Sequence, residues 1–169
     1  MKFPLMAHFE DLSDCQYLPG SEGLAFKAVG WLQRGKDYHK GDVPEDFFEK
    51  LLVLLQDPWT PPIATAGVHH CSLCRFSGGR AEFDCHFGKT NFRRYSFSGV
   101  GNGFLFVPNG STLFISPSSI AHYIDAHQYC PPGDFQKAVL VCPDMRSAAY
   151  LRSLLATPAR EWLQRLHVE

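Results

Sequence analysis

The sequence predicts an α+β fold in which a small antiparallel sheet is combined with a mainly helical C-terminal half. Three observations support this prediction. Apolar residues recur at helical spacing before Pro58, two apolar runs flank a turn signal at residues 108–111, and proline-bounded helical segments follow residue 117. The length of 169 residues suits one domain and no internal repeat is apparent, so we expect residues 1–169 to fold as a single unit.

The N-terminal part predicts one strand and one long helix. The strand is expected over residues 25–32, between glycine-containing turns. The helix is expected after Asp42, whose side chain can cap it, with Pro44 in the first turn and Glu45 at the capping-box position. Pro58 ends the apolar run. The predicted apolar face consists of Phe47, Phe48, Leu51, Leu52, Leu54 and Leu55.

The second half predicts a β-hairpin followed by helices. The segment GFLFVPNGSTLFISP places apolar runs on both sides of Pro-Asn-Gly-Ser, a frequent turn sequence, and residues 81–97 alternate loosely, as strands do. A helix with the sequence SSIAHYIDAHQY is expected to begin after Pro117 and to end at Pro131. Further helices are expected over residues 133–141, from about Asp144, and after Pro158.

Composition and charge indicate the cellular compartment and limit the classes of binding partner. The formal net charge of −1 gives no global attraction to nucleic acid or to anionic membranes. No apolar run approaches the ~20 residues of a membrane span, and the N-terminus lacks the apolar stretch of a signal peptide. We therefore expect a cytoplasmic protein with no membrane partner. In a reducing compartment its six cysteines are not expected to form a disulfide framework.

Two short motifs predict a metal site. Cys71 and Cys74 have CxxC spacing, which lets one tight turn direct two thiolates at one ion. His122 and His127 have the H-x4-H spacing found in zinc sites. Five residues of an ideal helix turn through about 140°, so both imidazoles reach one ion only if the last turn is loosened or His127 lies at the helix end. The sequence predicts Zn²⁺ bound by these four residues within a knuckle, hairpin and helix unit.

Other donors compete with this set. His69 forms an H-x-C-x-x-C with the two cysteines and is a rival ligand. Cys85 and His86 are adjacent in a segment predicted as strand, so their side chains point to opposite faces and only one of them would coordinate easily. Cys130 lies close to His127 in the sequence and is another possible donor. The alternative without a metal is that the thiols and imidazoles are ordinary packed side chains, as we expect for Cys15 and Cys142.

The chain also resembles an uncharacterised bacterial family known only as a domain of unknown function. The resemblance runs from about residue 17 to residue 151 and rests on H-x-C-x-x-C and HY-x-x-x-H-x-Y-x-P-P, both unbroken here. It implies no activity, but it implies that the donors of the two motifs belong to one shared feature: His69, Cys71, Cys74, His122 and His127. The segment at residues 80–97 looks longer than the family's usual connection and is the expected source of individual specificity.

The donor set favours a structural metal over a catalytic one. A catalytic zinc keeps three protein ligands, an open position for water and a nearby carboxylate base. Two thiolates would neutralise the charge of the ion and weaken it as a Lewis acid, and the sequence has no H-E-x-x-H motif. The alternative of a zinc-dependent hydrolase would use three donors with Asp125 or Asp84 as the base. Asp125 is more readily explained as a solvated residue or as a partner that orients an imidazole.

We therefore expect a non-enzymatic, zinc-stabilised domain that acts by binding another protein. Within this class, the specific role we expect is that of an immunity protein or antitoxin. A second alternative is a zinc protein that binds nucleic acid. The segment KTNFRRYSF interleaves Lys89, Arg93 and Arg94 with aromatic residues, a combination that nucleic-acid surfaces use for phosphates and base stacking. A strand with an aromatic inner face and a charged outer face explains the same pattern, and the near-zero net charge favours that explanation.

Overall fold

The computed structural model describes residues 8–63, 71–74, 80–84, 94–98 and 103–167. Within these residues the chain order of elements is β1 (Phe26–Ala28), α1 (Glu45–Gln56), β2 (Arg80–Asp84), β3 (Arg94–Ser98), β4 (Phe104–Asn109), β5 (Thr112–Pro117), α2 (Ile120–His127), α3 (Gly133–Val141), α4 (Ala148–Leu155) and α5 (Ala159–Leu166). The predicted α+β class, with a helical C-terminal half, is confirmed.

The predicted hairpin is present as β4 and β5. Asn109 pairs with Thr112, so Gly110 and Ser111 form a two-residue turn, and Gly110 has the positive φ of 61° that such turns require. Four consecutive residues of β4, from Phe104 to Val107, are buried. A strand that is buried on both faces loses the apolar–polar alternation of a solvent-facing strand, so this hairpin lies inside the fold.

The sheet differs from the prediction in one respect, because it is mixed and not wholly antiparallel. Its order is β1-β5-β4, and β1 runs parallel to β5 with Phe26 opposite Leu113. A parallel pair requires a long crossover connection, and the chain between these strands, which includes α1, supplies it. Strands β2 and β3 form a separate antiparallel pair, in which Asp84 lies opposite Arg94 in register.

Helix α1 matches the predicted apolar run but begins later than predicted. The cap is at Pro44, with extended backbone and no side-chain capping bond, so the prediction of Asp42 as the cap is wrong. Pro44 fixes its own φ and cannot donate a hydrogen bond, which suits this boundary position. The acidic Glu45 and Asp46 then occupy the first turn, where the helix dipole favours negative charge. The buried face consists of Phe47, Phe48, Leu51, Leu52 and Leu54.

The C-terminal helices cover the sheet. Helices α3 and α4 both contact β4, and α3 also packs against α1. Helix α4 begins after Ser147, whose hydroxyl accepts a hydrogen bond from the backbone N–H of Tyr150 at 3.1 Å. Trp162 of α5 is fully buried and packs on Phe106 and Phe26. None of the helices in the described part of the chain is long and apolar enough to cross a bilayer.

Gly30 gives a direct test of close packing between the segment that follows β1 and helix α2. Its φ is +77°, and an added Cβ would lie 3.1 Å from two side-chain carbons of Ile120. Gly23 has a similar φ of +75°, but an added Cβ there would meet no atom of the described residues within 4 Å. We expect Gly23→Ala to lower the free energy of unfolding by about 1 kcal/mol through backbone strain. Gly30→Ala should lower it by about 2–3 kcal/mol, because overpacking is added to the strain.

Urea denaturation of the two variants measures both effects. Equal losses at Gly23 and Gly30 would contradict the close contact with Ile120.

Candidate metal centre

The two cysteines lie on one short turn at residues 71–74. Cys71 is 1% exposed and belongs to the hydrophobic core, whereas Cys74 is exposed to solvent. The hydroxyl of Ser72, between them, accepts a hydrogen bond from the backbone N–H of Arg34 at 2.9 Å. The turn is therefore anchored to the loop after residue 30 and contains one buried and one exposed cysteine.

The two histidines lie on α2, which follows directly from the hairpin. His122 is 3% exposed, and His127 is the last residue of the helix. Gln128 then adopts left-handed backbone with φ 56°, and the backbone N–H of Tyr129 donates to the carbonyl of Tyr123 at 3.1 Å. This is the helix-ending arrangement in which a residue beyond the helix bonds back to its last turn. The prediction that His127 lies at the helix end is confirmed.

The four predicted donors lie together. Their ligand atoms, Sγ of both cysteines and one ring nitrogen of each histidine, are all within 4.8 Å of one another. Cys71 Sγ is 3.3 Å from His127 Nε2, and Cys74 Sγ is 3.4 Å from His122 Nε2. Sulfur and nitrogen at ordinary zinc distances in a tetrahedron are about 3.5 Å apart. These two contacts therefore have the spacing expected in a tetrahedral site, and the group has the composition to hold a metal ion.

Burial shifts the pKa values of three of these donors in the metal-free protein: Cys71, His122 and His127. It lowers the pKa of His122 to about 4, helped by the neighbouring His127, and it lowers the pKa of His127 as well. Both imidazoles are then neutral near pH 7 and have a lone pair available for a cation. Burial also raises the pKa of the Cys71 thiol to about 11. A bound dication reverses that preference, since a coordinating thiol is deprotonated.

A segment that no sequence motif indicated holds the end of α2. The Tyr38 hydroxyl donates a hydrogen bond to the backbone carbonyl of His127 at 2.9 Å. The N–H of Gly41 donates to the carbonyl of Gln128 at 3.0 Å, and the N–H of Cys130 donates to the carbonyl of His39 at 3.0 Å. These contacts fix the backbone that positions His127. Tyr38 lies 89 residues from His127 in the chain, so only the tertiary structure reveals the contact.

The remaining predicted donors fall into two groups. His69, Cys85 and His86 lie outside the described residues. Cys130 is not part of the four-residue group: its sulfur lies 3.8 Å from the carbonyl of Asp42 and 3.7 Å from the amide of Gln136. Cys15 and Cys142 are buried thiols, as predicted.

The structure places only some of the residues on which the hydrolase and the nucleic-acid-binding alternatives depend. Asp125 is half-buried, and its negative charge acts on the His122 imidazole by opposing the fall in that pKa. This fits a residue that influences an imidazole through space. Lys89 and Arg93 lie outside the described residues, and Arg94 begins β3.

The fold and the site together define a small α+β protein with a Cys2His2 group that could hold a metal ion. Its sequence matches the model of the family described as Domain of unknown function (DUF7919) over residues 7–140. The chain belongs to this family, and the expectation of an uncharacterised family is confirmed. No curated protein and no solved structure matches the chain. The matched range includes all four donors and ends before α4 and α5.

Titration of the site predicts an alkaline loss of stability in the metal-free protein that is absent when the metal is bound. For His122, with a folded pKa of about 4 against the ordinary 6.5, the free energy of unfolding falls as pH drops from 6.5 towards 4. The Cys71 thiol has a folded pKa of about 11 against the ordinary 9.0, so the free energy of unfolding of the metal-free protein falls as pH rises from 9 towards 11. With zinc bound both ligand thiols are already deprotonated, so this loss should disappear.

Urea denaturation at several pH values, with zinc or with a chelator, measures this difference. The pKa values of Cys15 and Cys142 are also raised to about 11 by burial, but these two contribute equally with and without zinc. Identical alkaline profiles in the two conditions would exclude Cys71 as a ligand.

Proposed function

We propose that Cys71, Cys74, His122 and His127 bind one Zn²⁺ as a closed structural site. The observation that carries this proposal is the convergence of all four donor atoms within 4.8 Å. Two sulfurs and two imidazole nitrogens complete the tetrahedral shell that structural zinc prefers. Soft thiolates also select against Mg²⁺ and Ca²⁺, which prefer oxygen ligands.

The role proposed for the metal is to link parts of the chain that are distant in sequence. Cys74 and His122 are separated by 48 residues, and Cys71 and His127 by 56. Strands β2 and β3, the hairpin and the first two residues of α2 all lie between the two ligand pairs. A bound ion would therefore fix the turn at residues 71–74 against the end of α2. Four protein ligands would leave no position for a reacting water, which supports a structural role.

Metal analysis of the untagged protein tests this proposal. We expect about one zinc per chain in the wild type and in Cys130→Ala, whose sulfur lies outside the group. Alanine at any one of the four proposed ligands should reduce zinc content by at least ~5-fold at nanomolar free zinc, because each change removes a coordinate bond. Retention of zinc when one of the four is replaced would leave three ligands and favour the hydrolase instead. A wild-type protein without zinc would overturn the proposal.

We further propose that the zinc-stabilised domain acts by binding another protein, for example by masking its active site as immunity proteins and antitoxins do. An apolar groove of about 290 Å³ supports this role. It lies between the β4–β5 turn, the end of α3 and α4, and Val141 on its rim is 79% exposed. Its lining consists of Pro108, Asn109, Gly110, Val141, Cys142, Pro143, Ser153 and Ala156. Contiguous exposed apolar surface is a feature of protein-binding sites, and Leu140, next to Val141, is also exposed.

Val53 on α1, which is 54% exposed, provides a matched control for Val141. Glutamate at either position adds one charge to an already exposed site. We expect affinity capture from cells of the source organism to recover a protein with wild type and with Val53→Glu, and to lose that protein with Val141→Glu. Equal recovery with all three proteins would reject the groove as the binding surface.

A further inference from the structure

The two cysteines of the metal centre differ sharply in their exposure to solvent. Cys71 is 1% exposed, whereas Cys74 is exposed, although their sulfur atoms are within 4.8 Å of each other. Of the two cysteines, Cys74 is therefore the one that faces solvent. The sulfur of the buried Cys71 is close enough to react with the Cys74 sulfur after that sulfur has been oxidised.

Cys74 also differs from the other cysteines that the structure describes. Cys15 and Cys142 are buried, and Cys130 is half-buried. Burial raises the thiol pKa of Cys15 and Cys142 to about 11, so they remain protonated and unreactive near neutral pH. A cysteine bound to zinc is a thiolate at neutral pH, and the thiolate is the form that reacts with peroxides. Among these residues Cys74 is the exposed cysteine, and a second sulfur, that of Cys71, lies within 4.8 Å of its own.

Given the zinc site proposed above, we infer that the metal centre is a redox switch: hydrogen peroxide oxidises Cys74, Cys71 resolves it to a disulfide, and zinc is released. In the first step the Cys74 thiolate attacks one peroxide oxygen. An S–O bond forms, the O–O bond breaks, and hydroxide leaves to become water. The Cys74 sulfur becomes a sulfenic acid, oxidised by two electrons.

In the second step the Cys71 thiolate attacks the Cys74 sulfur. An S–S bond forms, the S–O bond breaks, and a second hydroxide leaves and is protonated. In total, two thiolates, one hydrogen peroxide and two protons give one disulfide and two waters. The disulfide sulfurs carry no negative charge, so only His122 and His127 remain as effective ligands and the ion dissociates. The turn at residues 71–74 is then no longer tied to the end of α2.

The test exposes the zinc-loaded full-length protein to hydrogen peroxide and follows released zinc with a chromogenic chelator. We expect wild type and Cys130→Ser to release about one zinc per chain, and a dithiol reductant with added zinc to restore the bound metal. Cys74→His keeps a fourth donor but cannot form the disulfide, so its zinc release should be at least ~10-fold slower. Equal release rates from wild type and Cys74→His would overturn the inference.

Peptide mapping of the wild type tests directly whether the Cys71–Cys74 disulfide forms, without the need for a variant. Trypsin cleavage after Lys50 and Arg75 gives a peptide of residues 51–75 whose only cysteines are Cys71 and Cys74. After oxidation this peptide should resist alkylation until it is reduced. If zinc is bound but the peptide still alkylates fully, the switch is wrong and the structural site remains. If the purified protein holds no zinc, the site and the switch fail together.

Discussion

Replacement of Cys71 by alanine is expected to lower the free energy of unfolding by about 4 kcal/mol when free zinc is ~1,000 times the wild-type dissociation constant. A ligand that binds only the folded state stabilises it by this amount at that concentration. Cys71 contributes its sulfur to the site and is also 1% exposed in the core, so the variant loses zinc affinity and some packing. Urea denaturation at fixed free zinc measures the loss.

The contribution of the metal is separated from that of packing by a chelator. Addition of a chelator should destabilise wild type and Cys130→Ala by a similar amount and leave Cys71→Ala almost unchanged. If the chelator affects wild type and Cys71→Ala equally, the metal is bound elsewhere in the chain. If it affects neither, zinc does not stabilise this fold.

Replacement of Trp162 by alanine is expected to lower the free energy of unfolding by about 3–5 kcal/mol, the range for large aromatic side chains in cores. Trp162 is fully buried, with its ring centroid 6.0 Å from that of Phe106 and 5.7 Å from that of Phe26. Its indole N–H also donates a hydrogen bond to the carbonyl of Pro19 at 2.8 Å. Truncation therefore leaves a cavity and a carbonyl without this donor.

Gln164 on the same helix is exposed and serves as the control for this variant. Gln164→Ala should change the free energy of unfolding by less than ~0.5 kcal/mol. Trp162→Phe should fall between the two, because it retains most of the apolar area but lacks the N–H donor. A loss below ~1 kcal/mol for Trp162→Ala would show that α5, which lies beyond the family match, is not part of the core.

The β4–β5 hairpin and the end of α1 could be predicted from residues that are adjacent in the sequence. The two-residue turn at Gly110 and Ser111 requires a positive φ that glycine supplies, so the hairpin could be predicted from residues adjacent in sequence. Pro58 likewise lies just beyond the end of α1. The parallel pairing of β1 with β5 could not be predicted in this way, because it joins Phe26 to Leu113 across most of the chain.

The start of α1 shows why capping motifs misled the prediction. Asp42 and Glu45 have the spacing of a capping box, but Pro44 sets the helix boundary through its own backbone geometry. The capping pattern and the proline signal compete within three residues, and the sequence alone does not show which of them prevails.

The four candidate ligands could be predicted because metal chemistry restricts both residue type and spacing. CxxC places two sulfurs on one turn, and an H-x4-H pair can reach one ion when the helix ends at the second histidine. Helix α2 does end at His127. The supporting contact from Tyr38 to the His127 carbonyl could not be predicted, since a tyrosine hydroxyl and a backbone carbonyl leave no motif. The difference in exposure between Cys71 and Cys74 also depends on tertiary packing.

The most direct test of a closed Cys2His2 zinc site is X-ray absorption at the zinc edge of the protein as purified. We predict two sulfur scatterers at about 2.3 Å and two nitrogen scatterers at about 2.0 Å, with no further light atom in the shell. A shell with fewer than two sulfurs, or one that contains a water oxygen in place of an imidazole, would contradict the closed structural site.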